Sequence, residues 1–258
     1  MSPDNSRCKV WFFGGGETRD DKFNVFTGSF IRLMKEIMED DFDFIRGIYF
    51  NSKMINVIWT LNNCQRPVKD AHNQRFIKAA AGQIFSKGYN PDMQLILVAS
   101  STGSIIAAQT AIYLAEQNRD RLHFLKPIHL GLGSSIISKK SELYKKLFDY
   151  QREGSLGIIV FDDLLDKNDN SHGTGGTTRW EAYSNAFGLM FPLFSTKFSG
   201  PSFLNTHPEK GHVHRKRSKT VQKALDYIDI LLIKQKLAGE SYVEKAKSVI
   251  KKNEAILS

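Results

Sequence analysis

The run Leu95-Ile-Leu-Val-Ala99-Ser100-Ser101-Thr102-Gly103-Ser104 constrains the fold more than any other stretch of the chain. Its first half is continuously apolar, with no polar alternation, which suits a strand buried on both faces of a parallel sheet. Small residues follow at once, and then Ser104 to Gln117 reads as a helix that is apolar almost all round, through Ile105, Ala108, Ile112 and Ala115. A strand over Gln94 to Ala99 that turns directly into a buried helix is a unit of an α/β sheet with helices on both sides.

The rest of the chain repeats that alternation. Strands are predicted at Lys9 to Phe13, Phe44 to Phe50, Pro127 to Leu132 and Gly157 to Phe161, with a last one within Ser202 to Asn205. A helix is predicted over Phe23 to Met38, where Phe26, Phe30, Leu33 and Ile37 recur at helical spacing. Further helices are expected near Asn73 to Gly88, Ser141 to Arg152 and Thr178 to Phe187, the last opened by the capping-box pattern of Thr178 and Glu181. From about Ser218, Val221, Leu225, Ile228 and Leu232 share one face. A terminal lysine-rich helix is expected after Ser241, which forms a second capping-box pattern with Glu244.

Composition narrows the class. With 258 residues, 41% hydrophobic and 24% charged, the chain is long enough for one substantial core, and neither repeats nor a low-complexity linker divide it. The two cysteines, Cys8 and Cys64, are too few for a disulfide framework or zinc cage and read as buried apolar residues of a reduced, cytoplasmic protein. Met1 to Arg7 lacks the apolar core of a signal peptide, and no apolar run approaches the ~18 residues of a membrane span. The net charge of +9 is spread over Lys139-Lys140, Lys145-Lys146, Arg215 to Arg217 and Lys245 to Lys252. Such dispersal reads as solvated helix faces, so nucleic acid is disfavoured as a partner.

The chemistry centres on Ser101. A strand, a turn of small residues and a helix place it at a tight elbow on the carboxyl edge of the sheet. The N-terminus of the following helix offers N–H groups and a positive dipole to a developing oxyanion. A bulkier side chain at Ala99 or Gly103 would collide with neighbouring elements. As a plain turn, the same stretch would use Ser100, Ser101 or Ser104 as an N-cap. The stretch Ala99-Ser-Ser101-Thr-Gly103 resembles the nucleophile elbow of the α/β-hydrolase family, Gly-x-Ser-x-Gly, with the alanine of a lipase-type variant at its first position.

That resemblance implies the fold: a single three-layer α/β/α sandwich with a mainly parallel sheet, α/β-hydrolase-like, over residues 1–258, with a helical C-terminal extension at about 240–258. It also implies an oxyanion hole made from the N–H of Thr102 and that of Gly14 or Gly15, in the glycine-rich loop after the first strand; Phe13 stands where the family has histidine. The same Gly14-Gly15-Gly16 run could suggest dinucleotide binding. It lacks the third glycine of Gly-x-Gly-x-x-Gly and no helix opens directly behind it, and no phosphate-cradling Gly-x-x-x-x-Gly-Lys loop exists. No cofactor is expected.

The resemblance further implies a triad in the order serine, acid, histidine. The acid falls among Asp162, Asp163, Asp166 and Asp169 beyond the fifth strand; the family's spacing favours Asp166, then Asp163. The histidine comes from His172, His207, His212 or His214. Gly211-His212, just before the helix at Ser218, matches the family's Gly-His pattern, so His212 is the first choice and His214 the second. Two histidines one residue apart also suit a metal, but neighbouring Arg215 to Arg217 would repel a cation and no cysteine is near. The expectation is a serine hydrolase (esterase- or lipase-like) that cleaves a carboxylic ester, lipid-like or otherwise, through an acyl-enzyme on Ser101. Its substrate is a small molecule, and the oligomeric state stays open. A non-catalytic protein of the same fold, or a Rossmann-like one with phosphate at Gly14 to Gly16, would leave Ser101 without a histidine. Aromatic residues from Phe187 to Phe194, with Phe198 and Phe203, read either as core packing or as a substrate pocket.

Overall fold

The computed structural model describes residues 8–14, 25–45, 71–87, 92–100, 103–121, 126–133, 137, 142–160 and 217–257. Apolar runs of four to seven residues form five strands: β1 (Cys8–Phe13), β2 (Phe42–Ile45), β3 (Gln94–Ser100), β4 (Ile128–Gly133) and β5 (Leu156–Val160). Every pairing among them is parallel, in the order β2-β1-β3-β4-β5. The helices are α1 (Val25–Met38), α2 (Ala71–Ser86), α3 (Gly103–Arg121), α4 (Glu142–Arg152), α5 (Arg217–Ile228) and α6 (Glu240–Leu257).

The alternation of side chains along each strand divides the core into two layers. Trp11 and Phe13 of β1, Leu95, Leu97 and Ala99 of β3, and Ile128, Leu130 and Leu132 of β4 meet α2, α3 and α4 on one face. Cys8, Val10 and Phe12, with Ile96 and Val98, meet α1, α5 and α6 on the other. Helix α3 is buried along nearly all of its first three turns, as a helix without a polar face must be. The stripes read from spacing point inward: Phe26, Phe30, Leu33 and Ile37 on α1, and Val221, Leu225, Ile228 and Leu232 on the segment from α5 onward, are all buried. Cys8 is a buried free thiol, and burial pushes it up to about 12. Cys64 lies outside the described residues.

Helix α5 does not end as an α-helix but continues as a π-helix over Asp229–Lys234, closed by Gln235 N–H on the Ile230 carbonyl at 2.9 Å. The wider turn buries the consecutive Leu231 and Leu232 completely. Helix α6 packs across α1 and the 3-10 turn that follows it (Glu39–Asp41): the Tyr242 hydroxyl donates to Asp41, Lys245 Nζ reaches Glu39 at 2.9 Å, and Lys252 Nζ reaches Glu36 of α1 at 3.2 Å. Lysines 145, 245, 247, 251 and 252 are exposed, which is the dispersal of positive charge expected of solvated faces.

Element ends shift by one to four residues from expectation, and two of the shifts have a clear cause. The second strand begins at Phe42 rather than Phe44, because buried Phe42 pairs with Val10 and starts the ladder; residues 46–50 lie outside the described set. The terminal helix begins at Glu240, with the Gly239 carbonyl accepting from Tyr242 and Val243 N–H at 3.0 and 3.2 Å. Ser241 therefore sits in the first turn rather than capping it. The expected strand within Ser202 to Asn205 and the helix from Thr178 fall outside the described residues. No described helix is long and apolar enough to cross a membrane.

Candidate functional site

The strand order creates one point of special geometry. From β1 the chain adds β2 on one side, then crosses to add β3, β4 and β5 on the other. Crossovers leaving adjacent strands in opposite directions open a crevice at their carboxyl ends, and this is where parallel α/β sheets bind ligands. Here it lies between the ends of β1 and β3. Strand β3 ends at Ser100 and α3 begins at Gly103, so two residues, Ser101 and Thr102, connect them.

The two sides of the crevice touch through backbone. A Cβ built on Gly103 would stand 2.3 Å from the Phe13 carbonyl oxygen and 2.7 Å from that of Gly14. No real side chain fits there, and neither obstacle is a flexible group that could move aside. Glycine at 103 thus lets the N-terminus of α3 seat directly on the end of β1, bringing its N–H groups and dipole to the crevice. On the far side, the Gly14 N–H donates to the Ile45 carbonyl at 3.2 Å, extending the β1–β2 pairing. Ser100 and Ser104 are both buried, one closing the strand and the other inside the first turn of the helix.

Of the site residues read from the sequence, Gly14 and the flanking Ala99 and Gly103 fall within the described residues, and the structure brings Gly14 against Gly103. Ser101, Thr102, Gly15, Asp162, Asp163, Asp166, Asp169, His172, His207, His212 and His214 lie outside them, as does the aromatic run from Phe187. His129, on β4, is described. It pairs with Ile96, four residues short of the strand end and so roughly 13 Å below the crevice at strand rise. Burial pushes its imidazole below the ordinary value. His129 is half-buried, on the α1–α5 side of the sheet.

Sequence reading missed three residues at the carboxyl edge. Gly133, the last residue of β4, pairs with Ser100, and a Cβ there would lie 2.5 Å from Tyr227 Cε2 and 2.6 Å from Tyr227 Oη. Tyr227 thus rests on the end of β4, and Lys223, one turn earlier on α5, is buried beside it. Gly131 and Gly133 inside a strand were the available signal, since glycine there marks a close approach; its partner could not be read. A separate cleft of about 330 Å³ lies on the outer surface between α2 and α3, with Ile77 and Ile112 in its wall and the Lys146–Glu116 ion pair (2.5 Å) at its margin. Among the described residues no cluster of His, Cys, Asp or Glu could hold a metal ion.

The class that the fold defines is a parallel α/β protein whose strand order reverses between β1 and β3. Comparison with protein-family models, with curated proteins and with solved structures finds no match for this chain.

Proposed function

We propose that the β1–β3 crevice is the active site of a serine hydrolase of α/β-hydrolase-like fold that cleaves a carboxylic ester. The observation that carries this reading is the seating of Gly103 on the Phe13 and Gly14 carbonyls. A nucleophile elbow needs that approach, because the serine ahead of the glycine and the loop after the first strand must face one substrate carbonyl. In this reading Ser101 attacks the ester carbonyl, His212 takes its proton and returns it to the leaving alcohol, and Asp166 orients the imidazole. The Thr102 N–H holds the oxyanion from the helix side. The Gly14 N–H is engaged by Ile45, so the second donor is assigned to Gly15, and Gly14 serves by its lack of a side chain.

The test is covalent labelling with a fluorophosphonate probe, on wild type, Ser101→Ala and each of His172, His207, His212 and His214 changed to alanine. Labelling that vanishes with Ser101→Ala and with one histidine variant supports the reading and names the base. A second reading is favoured by the strand order itself, which is shared by doubly wound sheets that bind small ligands at the same switch point without a nucleophile. Folded wild type that takes up no probe would decide for it.

A further inference from the structure

Helix α2 changes character along its length. From Ala80 onward it lies on the core through small and apolar residues, with Ala80, Ala81 and Ile84 all buried. Nearer its start Gln74, Arg75 and Phe76 are exposed. There the stripe Gln74, Ile77 and Lys78 of α2 faces the stripe Gln109, Ile112 and Glu116 of α3 across open space, the cleft of about 330 Å³.

That cleft is amphipathic. Buried Ile77 and Ile112 give it an apolar floor, and buried Gln109 sets a carboxamide into the same floor. Three charged side chains complete the lining, Lys78, Glu116 and Lys146. Two of them cancel: Lys146 Nζ holds Glu116 at 2.5 Å, and Glu116 also accepts from the Tyr150 hydroxyl at 3.3 Å. The net charge of the lining is therefore the single positive charge of Lys78. Lys78 follows Gln74 by four residues on one helix face, so an anion at the mouth meets an ammonium and a carboxamide N–H together. At the ~30 Å³ that a water occupies in the liquid, the space holds roughly eleven waters, which places it at the small end of ligand pockets.

We propose that this cleft is a small-molecule site distinct from the β1–β3 crevice, and that its ligand is a small carboxylate with an apolar body of about ten non-hydrogen atoms in all. The apolar body lies on Ile77 and Ile112, and the carboxylate accepts from Lys78 and Gln74. One cation with flanking amides matches one negative charge; a phosphate would call for more donors. The proposal does not depend on the hydrolase reading, because none of these residues belongs to the crevice.

Two probes of equal size test it, the anion 3-phenylpropionate and its neutral isostere 3-phenylpropanamide, each titrated against the full chain by ligand-observed NMR. Wild type should bind the carboxylate in the millimolar range, as suits so small a ligand. It should bind the amide about 3- to 10-fold more weakly, the scale of one ion pair open to solvent on one side. Lys78→Met should bring the two probes to equal affinity, and Gln74→Glu should weaken the carboxylate while leaving the amide nearly unchanged. Both changes fall at exposed positions, so the Tm of the ligand-free variants should match wild type. Lys251→Met removes the same charge from an exposed position on α6, across the sheet, and should alter neither affinity. A carboxylate preference that survives both Lys78→Met and Gln74→Glu overturns the proposal, since the probe then sits elsewhere, the β1–β3 crevice included. A preference lost equally in Lys251→Met overturns it as an effect of net charge alone. Equal binding of the two probes by wild type, or binding of neither at about ten times a millimolar concentration, overturns it as well.

Discussion

The two faces of the sheet are packed by different kinds of residue. Against α2, α3 and α4 the core is rich in alanine: Ala80, Ala81, Ala99, Ala107, Ala108 and Ala111 are all buried. Against α1 and α5 it is built of rings: Phe12 on Phe30 at 5.1 Å, Phe30 edge to Phe42 at 6.3 Å, and Phe26 against both Phe30 and Tyr227. Small side chains let helix backbone come down onto the sheet, and the seat of Gly103 on β1 is the end result. Rings instead interpose side-chain atoms between helix and strand, so this face can harbour an imidazole and an ammonium. One face sets how backbone meets backbone at the end of β1, and the other is set by how side chains meet.

Glycine substitutions probe that contrast directly. Gly103→Ala would force a methyl onto two backbone carbonyls, and the expected loss of stability is about 3 kcal/mol or more, at the upper end of overpacking effects. Gly133→Ala first meets the outer end of the buried Tyr227 ring, which can give by a small tilt where backbone cannot, so about 1–2 kcal/mol is expected. Urea denaturation of both variants checks the order. Equal losses would mean that the ring corner is as immovable as backbone, and the distinction between the faces would fail.

A smaller effect belongs to the ring face alone. The His129 imidazole is held below its ordinary value by burial, so the folded protein favours its neutral form. Its contribution to stability is present above the ordinary value of 6.5 and is lost as pH falls from there through the folded-state value. The slope from one such group is at most about 1.4 kcal/mol per pH unit. Urea midpoints between pH 8 and pH 5 should fall more for wild type than for His129→Gln, and parallel curves would show that His129 charges without cost. The smallest change has the opposite sign. Gly82 lies in the exposed interior of α2 with nothing within 4 Å of an added Cβ, so Gly82→Ala should stabilise by about 0.5–1 kcal/mol, read as a higher Tm.

Much of this was legible in the order of residues, because burial follows period. The stripe Phe26, Phe30, Leu33, Ile37 and the featureless apolar run at Leu95 each permit one placement, and both lie as read. The C-terminal helix was misread at its start because the Ser241–Glu244 pattern and Gly239 compete for the same cap, and the backbone bonds fall to Gly239. The π-helical continuation was invisible, since Val221 to Leu232 fits an ordinary stripe. At the crevice, Gly14 and Gly103 were identifiable from type and position, as glycine after a strand signals close approach. The Gly133–Tyr227–Lys223 corner was not, because it joins positions about ninety residues apart in sequence. No local pattern records which ring fills the space a glycine leaves.

The attachment of α6 to α1 also bears on how the chain matures. Tyr242 and Asp41 are 201 positions apart, and Lys245 and Glu39 are 206 apart, yet Ala246 and Val249 seal the same cluster that Phe30 and Leu33 begin. During synthesis this cluster therefore stays incomplete until α6 leaves the ribosome, while β3 and α3 can dock from adjacent sequence much earlier. A nascent chain stalled before residue 240 would lack the apolar seal of Ala246 and Val249, which makes it the form most exposed to chaperones and to aggregation.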